Sequence, residues 1–377
     1  MSSNKQRNWA MAIVAQAGFV AYVEGLPGVG KTCILRSLAE KMGRKFFQHI
    51  LSQQTPEDVL GIPRVTTVTI NGKEHDCVDY VQSKVMLEAI HGHTLVCLDE
   101  LVHAKPAVQA ANQEVWLNNT PPNALVIALG NPPDLATDYN QLSPAVINRL
   151  CMLQWEPMNS EWEVGMETGE FPVPDFPVLP DNWTDFRLKW SNMVLEFSRD
   201  AAGAKHFDEH GTYPKNEQDA AMPWCSNRSW ERAAICLAAA EAVGASKDTA
   251  LKILTGFVGE GPATEFMAWY DSLGFPSAKS IFENPSSMRL PRQFAPAHAI
   301  VRGVVAHSRN EVAGADNPGE TFEKAVDFLD ELHLQNPELA SAASDSIIAL
   351  KPQDYREKPR DSKRVKAQLE SFAASAN

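Results

Sequence analysis

The 377-residue chain lacks most of what would mark a secreted, membrane-spanning or broadly nucleic-acid-binding protein. It has no run of about 18 apolar residues, the length of a membrane-spanning helix, and its longest apolar pieces, such as 124–130, are strand-sized. The six cysteines, Cys33, Cys77, Cys97, Cys151, Cys225 and Cys236, form no CxxC pair and no regular spacing. That argues against a disulfide framework and favours reduced thiols, with Cys97 and Cys151 as small buried residues of hydrophobic runs. Positive charge is scarce: 34 Lys+Arg against 47 Asp+Glu leave a net −13. Broad attraction to DNA or anionic membranes is thereby disfavoured and protein partners are favoured, although a local positive channel in a ring would escape this count. No internal repeat stands out. The opening MSSNKQRNWAMAIVAQAGFVAYVEG has a basic start and an apolar continuation, but the apolar part runs straight into a glycine loop. Cleavage there would remove a strand the loop needs, so no signal peptide and no membrane insertion are expected, and the expected location is cytoplasmic.

What is present describes an ordered globular chain, 44% hydrophobic and 21% charged, long enough for two or three domains. Residues 1–155 alternate strand-like and helix-like segments, which predicts an α/β core with a parallel sheet. YVEG (22–25) ends a strand, 31–43 has a helical apolar face at 34, 35 and 38, and FFQHILS is a second strand. A helix over 84–91 feeds the strand LVCLDE (95–100), helical residues run from 106 to 117, and ALVIALGN (124–131) is another core strand. Between them, two β-rich runs flank Asn71-Gly72, a strong hairpin signal, so a hairpin insertion is expected near 64–81. Residues 156–185, rich in proline and acidic side chains, read as an irregular connection. Helical pattern returns over 186–200, 229–244 and 247–259, predicting a helical lid over 186–275, and a helical extension is expected over 276–350. The tail 351–377 is expected to be flexible or to form a docking helix.

The chemistry centres on GLPGVGKT (25–32), which fits GxxxxGK[ST] at every position. A strand delivers the loop and a helix follows it. Residues Gly25, Leu26, Pro27, Gly28, Val29, Gly30, Lys31, Thr32 and Cys33 are therefore the expected phosphate wrapping, through their backbone N–H groups except at Pro27, which has none and only shapes the turn. Lys31 is expected on the β and γ phosphates, and Thr32 on Mg²⁺. LVCLDE sets Asp99 and Glu100 at a strand end, where Asp99 can support the magnesium shell and Glu100 can orient or deprotonate the attacking water. Asn131, ending the strand in ALGNPP, can bond the γ phosphate or the water, or can simply turn the chain before Pro132 and Pro133. Arg149 in SPAVINRL is either a solvated helix-end residue or a cation reaching across a subunit boundary to the transferred phosphoryl group. Arg228 in WCSNRSWERAA begins a helix, an adverse place for a cation unless an anion is near, with Arg232 one turn later as the competing choice.

In this order, GLPGVGKT, LVCLDE, ALGNPP, SPAVINRL and SNRSW resemble the AAA+ ATPases, and more closely the MoxR-like and dynein-related group. The resemblance covers about 20–270 and implies a P-loop AAA+ core with a helical lid. It implies Walker A at Lys31 and Thr32, Walker B at Asp99 and Glu100, sensor 1 at Asn131, an arginine finger at Arg149 and sensor 2 at Arg228. The hairpin falls where this group carries a projecting insertion for partner or substrate contact, and 256–269 resembles its lid. Two departures stand out: DELVHAK replaces the common DEINRA, bringing His103 and Lys105, and the finger segment ends NRL instead of RF. The resemblance further implies ATP and Mg²⁺ as cofactors, a homo-hexameric ring, and a separate von Willebrand factor A domain protein or other protein substrate.

The leading expectation is thus ATP hydrolysis coupled to remodelling, activation or metal-cofactor assembly of a partner protein. The alternative is a GTP- or ATP-driven nucleic-acid-associated motor of the restriction-type branch, since the loop reads phosphates more than the base. His206 and His210 in HFDEH have i,i+4 spacing but not the HExxH order, which disfavours a zinc protease site. Trp155, Trp162, Trp183 and Trp190 have no basic stripe beside them and are expected to pack internally.

Overall fold

The computed structural model describes residues 3–118, 120–135, 139–155, 159–169, 174–208, 212–274, 278–291, 294–353 and 355. His210 and the tail beyond 355 lie outside the described residues. The chain divides into two compact units, Met1–Leu179 with Asp200–Phe266, and Pro180–Arg199 with Met267–Asn377. Among the described residues no helix is long and apolar enough to cross a membrane.

The first unit begins with α1 (Ser3–Gln16), β1 (Val20–Gly25), α2 (Lys31–Lys41), β2 (Lys45–Ile50) and α3 (Pro56–Leu60). The hairpin β3 (Ile62–Ile70) and β4 (Lys73–Val81) follows, then α4 (Lys84–His91), β5 (Thr94–Asp99) and α5 (Pro106–Asn112). Next come β6 (Ala124–Gly130), α6 (Pro144–Ile147), β7 (Leu150–Trp155) and α7 (Asn159–Thr168). Five strands form one parallel sheet in the order β2-β5-β6-β1-β7. The sequence dictates the centre of this order. β6 is buried at all seven positions and β5 from Thr94 to Leu98, the continuous apolar runs that a parallel strand covered on both faces requires. β2, at the edge, is exposed or half-buried at every position except the buried His49. Crossover helices cover the faces; α2 contributes Leu35, Leu38 and Ala39 to the interior.

β3 and β4 pair antiparallel in a sheet of their own, with Ile70 opposite Lys73 across the turn. Asn71 and Gly72 both have positive φ, 52° and 76°, as a two-residue hairpin turn demands. Ile62, Val65, Ile70, Val78, Tyr80 and Val81 are exposed on it.

Three features depart from the sequence reading. α1 is a helix that no amphipathic period announces, because Ala10 to Ala15 and also Gln6, Arg7 and Asn8 are all buried. Fully burying Met11, Ile13 and Val14 contributes about 1.5–3 kcal/mol each. The 156–185 connection is not irregular throughout: α7 and a single turn at Trp183–Phe186 occupy parts of it, and the prolines flank these turns without entering them. Trp162, on α7, is exposed where internal packing was expected, while Trp155 and Trp190 are buried.

α8 (Arg187–Arg199) belongs to the second unit. The chain returns to the first with α9 (Glu217–Ala220), α10 (Asn227–Ala242) and α11 (Lys247–Val258). α12 (Glu260–Ser272) begins in the first unit and ends in the second. α13 (Ala278–Glu283), α14 (Phe294–Gly314), α15 (Pro318–Gln335) and α16 (Pro337–Ile348) complete the second unit. Its core is helical, built around Phe282, Val304, Phe328, Leu339 and Ile347.

Candidate functional site

A parallel sheet gathers the carboxyl ends of its strands on one edge, and here that edge collects the glycine loop, Asp99, Glu100 and Asn131. β6 lies between β1 and β5, so Asn131, one residue past β6, stands between the loop and the carboxylates. Gly28 and Gly30 hold positive φ, 78° and 83°, are exposed, and a Cβ on either would meet nothing within 4 Å, so the space beside the loop is open. Gly30 caps α2 without any side-chain bond, and among the described residues no side chain is bonded to the first-turn amides over 31–33.

Lys31 folds back over this loop. Its Nζ donates to the carbonyl of Gly25 at 2.5 Å, to that of Leu26 at 2.9 Å and to Asn131 Oδ1 at 3.0 Å. Burial lowers its pKa, and the negative charges of Asp99 and then Glu24 act in the opposite direction. Its bonding partners among the described residues are all neutral oxygens, which a phosphate can displace. The Thr32 hydroxyl has no bond among the described residues, and the Cys33 thiol is exposed one position on.

Asp99 accepts from Gln48 Nε2 at 2.8 Å through Oδ2, and from the Glu100 amide at 3.0 Å through Oδ1. Glu100 sits in the left-handed region, φ 59° and ψ 37°, at a cost of about 1–2 kcal/mol for a residue with a Cβ. Its Oε2 accepts a hydrogen bond from the Ser52 hydroxyl, which lies just past the end of β2.

Arg149 lies elsewhere. It immediately precedes β7, and β7 pairs with β1 from Val20↔Leu150 to Gly25↔Trp155. Arg149 is therefore at the amino edge of the sheet, about 17 Å of extended chain from the loop. Its Nε donates to Asn118 Oδ1 at 2.6 Å and its NH1 to the Ala145 carbonyl at 2.6 Å. Asn118 ends the wider-turn segment Gln113–Asn118 that continues α5. Arg228 stands on the same edge, in the first turn of α10: the α10 cap Ser226 donates to Asn148 Oδ1 at 2.9 Å, and Asn148 Nδ2 donates to the Trp224 carbonyl at 3.4 Å. Arg232 completes a triangle of cations, donating to the carbonyls of Arg149 and, at 3.4 Å, Leu117, with its guanidinium 5.1 Å from the Phe19 ring centre. Burial, then Arg228 and Arg149, push its pKa down to about 10; burial and then Arg228 lower that of Arg149, partly offset by Glu114. Arg228 is exposed and makes no hydrogen bond among the described residues. The structure thus brings Lys31, Asp99, Glu100 and Asn131 together on one edge, and Arg149, Arg228 and Arg232 together on the other.

Residues 22–150 match the family model described as AAA domain (dynein-related subfamily). This segment is an AAA domain of the dynein-related subfamily. No curated protein matches the chain. Among solved structures the chain is similar to one described as a candidate ATPase from Cytophaga hutchinsonii, at 17% identity and a TM-score of 0.41, over 66% of this chain and 79% of that one.

The parallel-sheet core of the AAA domain, followed by helices, is the arrangement of an AAA+ core with a helical lid and extension. ATP binding and hydrolysis are the general activity that goes with the domain. The residues present fit a magnesium nucleotide: the open space beside Gly28 and Gly30 leaves room for phosphate, Lys31 supplies a cation, and Thr32 and Asp99 are hard oxygen donors. Mg²⁺ characteristically takes one or two carboxylates besides phosphate oxygens and water, and bound there it would neutralise charge on the β and γ phosphates. The same edge also holds residues that sequence reasoning passed over. Gln48, within the neighbouring strand β2, reaches Asp99, and Ser52, just past the end of that strand, reaches Glu100; the signal that pointed to them was only their place in or just after a strand that neighbours LVCLDE in the sheet.

Proposed function

We propose that the chain is a magnesium-dependent ATPase working as a homo-hexameric ring, each ATP lying between the loop edge of one copy and the arginine edge of the next. The observation that carries this reading is the separation of Lys31, Asp99, Glu100 and Asn131 from Arg149 by the length of β1 and β7. Charge that develops on a transferred phosphoryl group needs a cation within contact distance, and Arg149 has the sheet between it and its own loop. A second copy supplies one. In this reading Lys31 holds the β and γ phosphates, Thr32 and Asp99 hold Mg²⁺, Glu100 orients the water, and Asn131 bonds the water or the γ phosphate. Arg149 and Arg228 act on the neighbour's phosphates, because Arg228 shares its edge with Arg149.

The work driven is remodelling, activation or metal-cofactor assembly of a separate protein, with a von Willebrand factor A domain protein as the leading partner class, in the cytoplasm. Support comes from the hairpin, whose exposed Val65, Ile70, Val78 and Tyr80 offer a protein-binding surface. The net charge of −13 disfavours nucleic acid as the load.

The test is phosphate release with ATP and with GTP over a protein concentration series, with Glu100→Gln as the blank. A specific rate that rises with concentration is expected with ATP. Mixing inactive Arg149→Ala with inactive Glu100→Gln should restore turnover, because an intact Glu100 then meets an intact Arg149 across a boundary. Silence at every mixing ratio rules out the shared site; turnover with GTP alone transfers the reading to the motor alternative.

A further inference from the structure

Asp99 is held from outside its own strand by a short polar chain. On β2, Gln48 pairs with Cys97 and Ile50 with Asp99, so Gln48 and Asp99 are diagonal neighbours on one face of the sheet. Gln48 Nε2 donates to Asp99 Oδ2 at 2.8 Å, and Gln48 Oε1 accepts from Arg36 NH2 at 3.1 Å. The direction of the amide is fixed by chemistry: a guanidinium only donates and a carboxylate only accepts, so Gln48 must turn its oxygen to Arg36 and its nitrogen to Asp99. Arg36 is itself positioned, its guanidinium 4.5 Å from the ring centre of Phe46, the β2 residue two before Gln48 on the same face. It belongs to α2, the helix that opens with Lys31 and Thr32. The relay therefore ties the helix of the phosphate loop to the aspartate opposite it.

We propose that Gln48, oriented by Arg36, is a positioning residue that fixes the Asp99 carboxylate for the divalent cation accompanying the nucleotide. The inference rests on the ATPase reading above. Gln48 is exposed, and an exposed hydrogen bond contributes little to folding, so its service to the fold is small. Its service to Asp99 is larger. Oδ1 already takes the backbone amide of Glu100, and Gln48 at Oδ2 removes the remaining freedom of rotation of the carboxylate. Groups that hold a metal ligand from behind carry metal affinity even when they do not touch the metal.

The experiment measures affinity, not turnover. ADP and the β,γ-imido analogue of ATP are titrated by calorimetry into the full chain, once with magnesium and once with EDTA, for wild type, Gln48→Met, Arg36→Met and the double variant. In Gln48→Met the affinity in EDTA should stay at the wild-type value while the gain on adding magnesium shrinks about tenfold. Arg36→Met should lose part of the same gain, and the double variant no more than Gln48→Met alone, since both act through one carboxylate. A Gln48→Met chain that keeps the full magnesium gain, or that loses affinity equally with and without magnesium, overturns the role of Gln48 alone. A wild-type chain with no magnesium gain overturns the magnesium nucleotide reading and the role of Gln48 with it.

Discussion

Lys31 and Asn131 meet across the sheet edge: the lysine ammonium donates to the asparagine Oδ1 at 3.0 Å, joining the phosphate loop to the end of β6. Among the described residues Asn131 is the one side chain that accepts from Lys31, the other two acceptors being loop carbonyls. An incoming γ phosphate must take Lys31 from Asn131, and the amide is then free to face the phosphate or the water. Asn131→Ala should therefore leave nucleotide affinity within about tenfold while turnover falls roughly a hundredfold, the usual cost of deleting a polar group aimed at the reacting centre. Single-turnover hydrolysis beside equilibrium binding separates the two effects. A proportional loss of both would make Asn131 a binding residue only.

Glu100 is held in a conformation that disfavours every residue with a Cβ, at φ 59°. Alanine and glycine at this position both lose the carboxylate and the bond from Ser52, so the difference between them isolates the backbone. Glu100→Gly should be more stable than Glu100→Ala by about 1 kcal/mol, with turnover lost in both. Chemical denaturation of the pair checks it. Equal stabilities would mean that the turn relaxes out of the left-handed region once the side chain is gone.

Cys33 is exposed at the start of α2, Cys77 is half-buried on the hairpin, and the other four thiols are buried. A maleimide should label Cys33 ahead of the rest, and magnesium nucleotide should protect it in proportion to occupancy, by about a hundredfold at 100 times the dissociation constant. Cys77 should be unaffected and serves as the internal reference. Lys31→Ala should abolish the protection. Intact-mass measurement with peptide mapping gives the rates, and labelling of Cys33 at one rate with and without nucleotide would place the ligand away from the loop.

The difference between what was legible in the sequence and what was not follows from the range of the interactions. Central parallel strands are apolar runs and the loop is punctuated by glycines, so β1, β5, β6 and the 25–32 loop announce themselves locally. The hairpin turn does too, because Asn71-Gly72 suits positive φ. α1 was invisible, because its polar residues are buried by partners distant in sequence: Arg7 stacks 3.5 Å from the centre of the Trp155 ring, and Gln6 donates to Asp248 at 2.8 Å. Which sheet edge carries Arg228 was equally hidden. Only the pairing of β1 with β7, and the bond from Ser226 to Asn148, put it beside Arg149.

That placement carries a thermodynamic cost. Arg228 stands in the first turn of α10, where the helix dipole opposes a cation, and next to Arg149 and Arg232, whose charged forms it disfavours. The α10 cap is already supplied by Ser226, so Arg228 adds nothing to it. Arg228→Ala should therefore stabilise the nucleotide-free chain, by about 0.3–1 kcal/mol at low salt, and the gain should shrink as salt screens the three guanidinium groups. In the proposed ring the same change should lower turnover, because the neighbour's phosphate loses a cation. Denaturation of the dilute chain at two salt concentrations, beside the ATPase rate at high protein concentration, reads both effects. A destabilised Arg228→Ala chain would mean that the arginine is held by contacts within its own fold; a stabilised chain with undiminished turnover would remove Arg228 from the shared site and leave that role to Arg149.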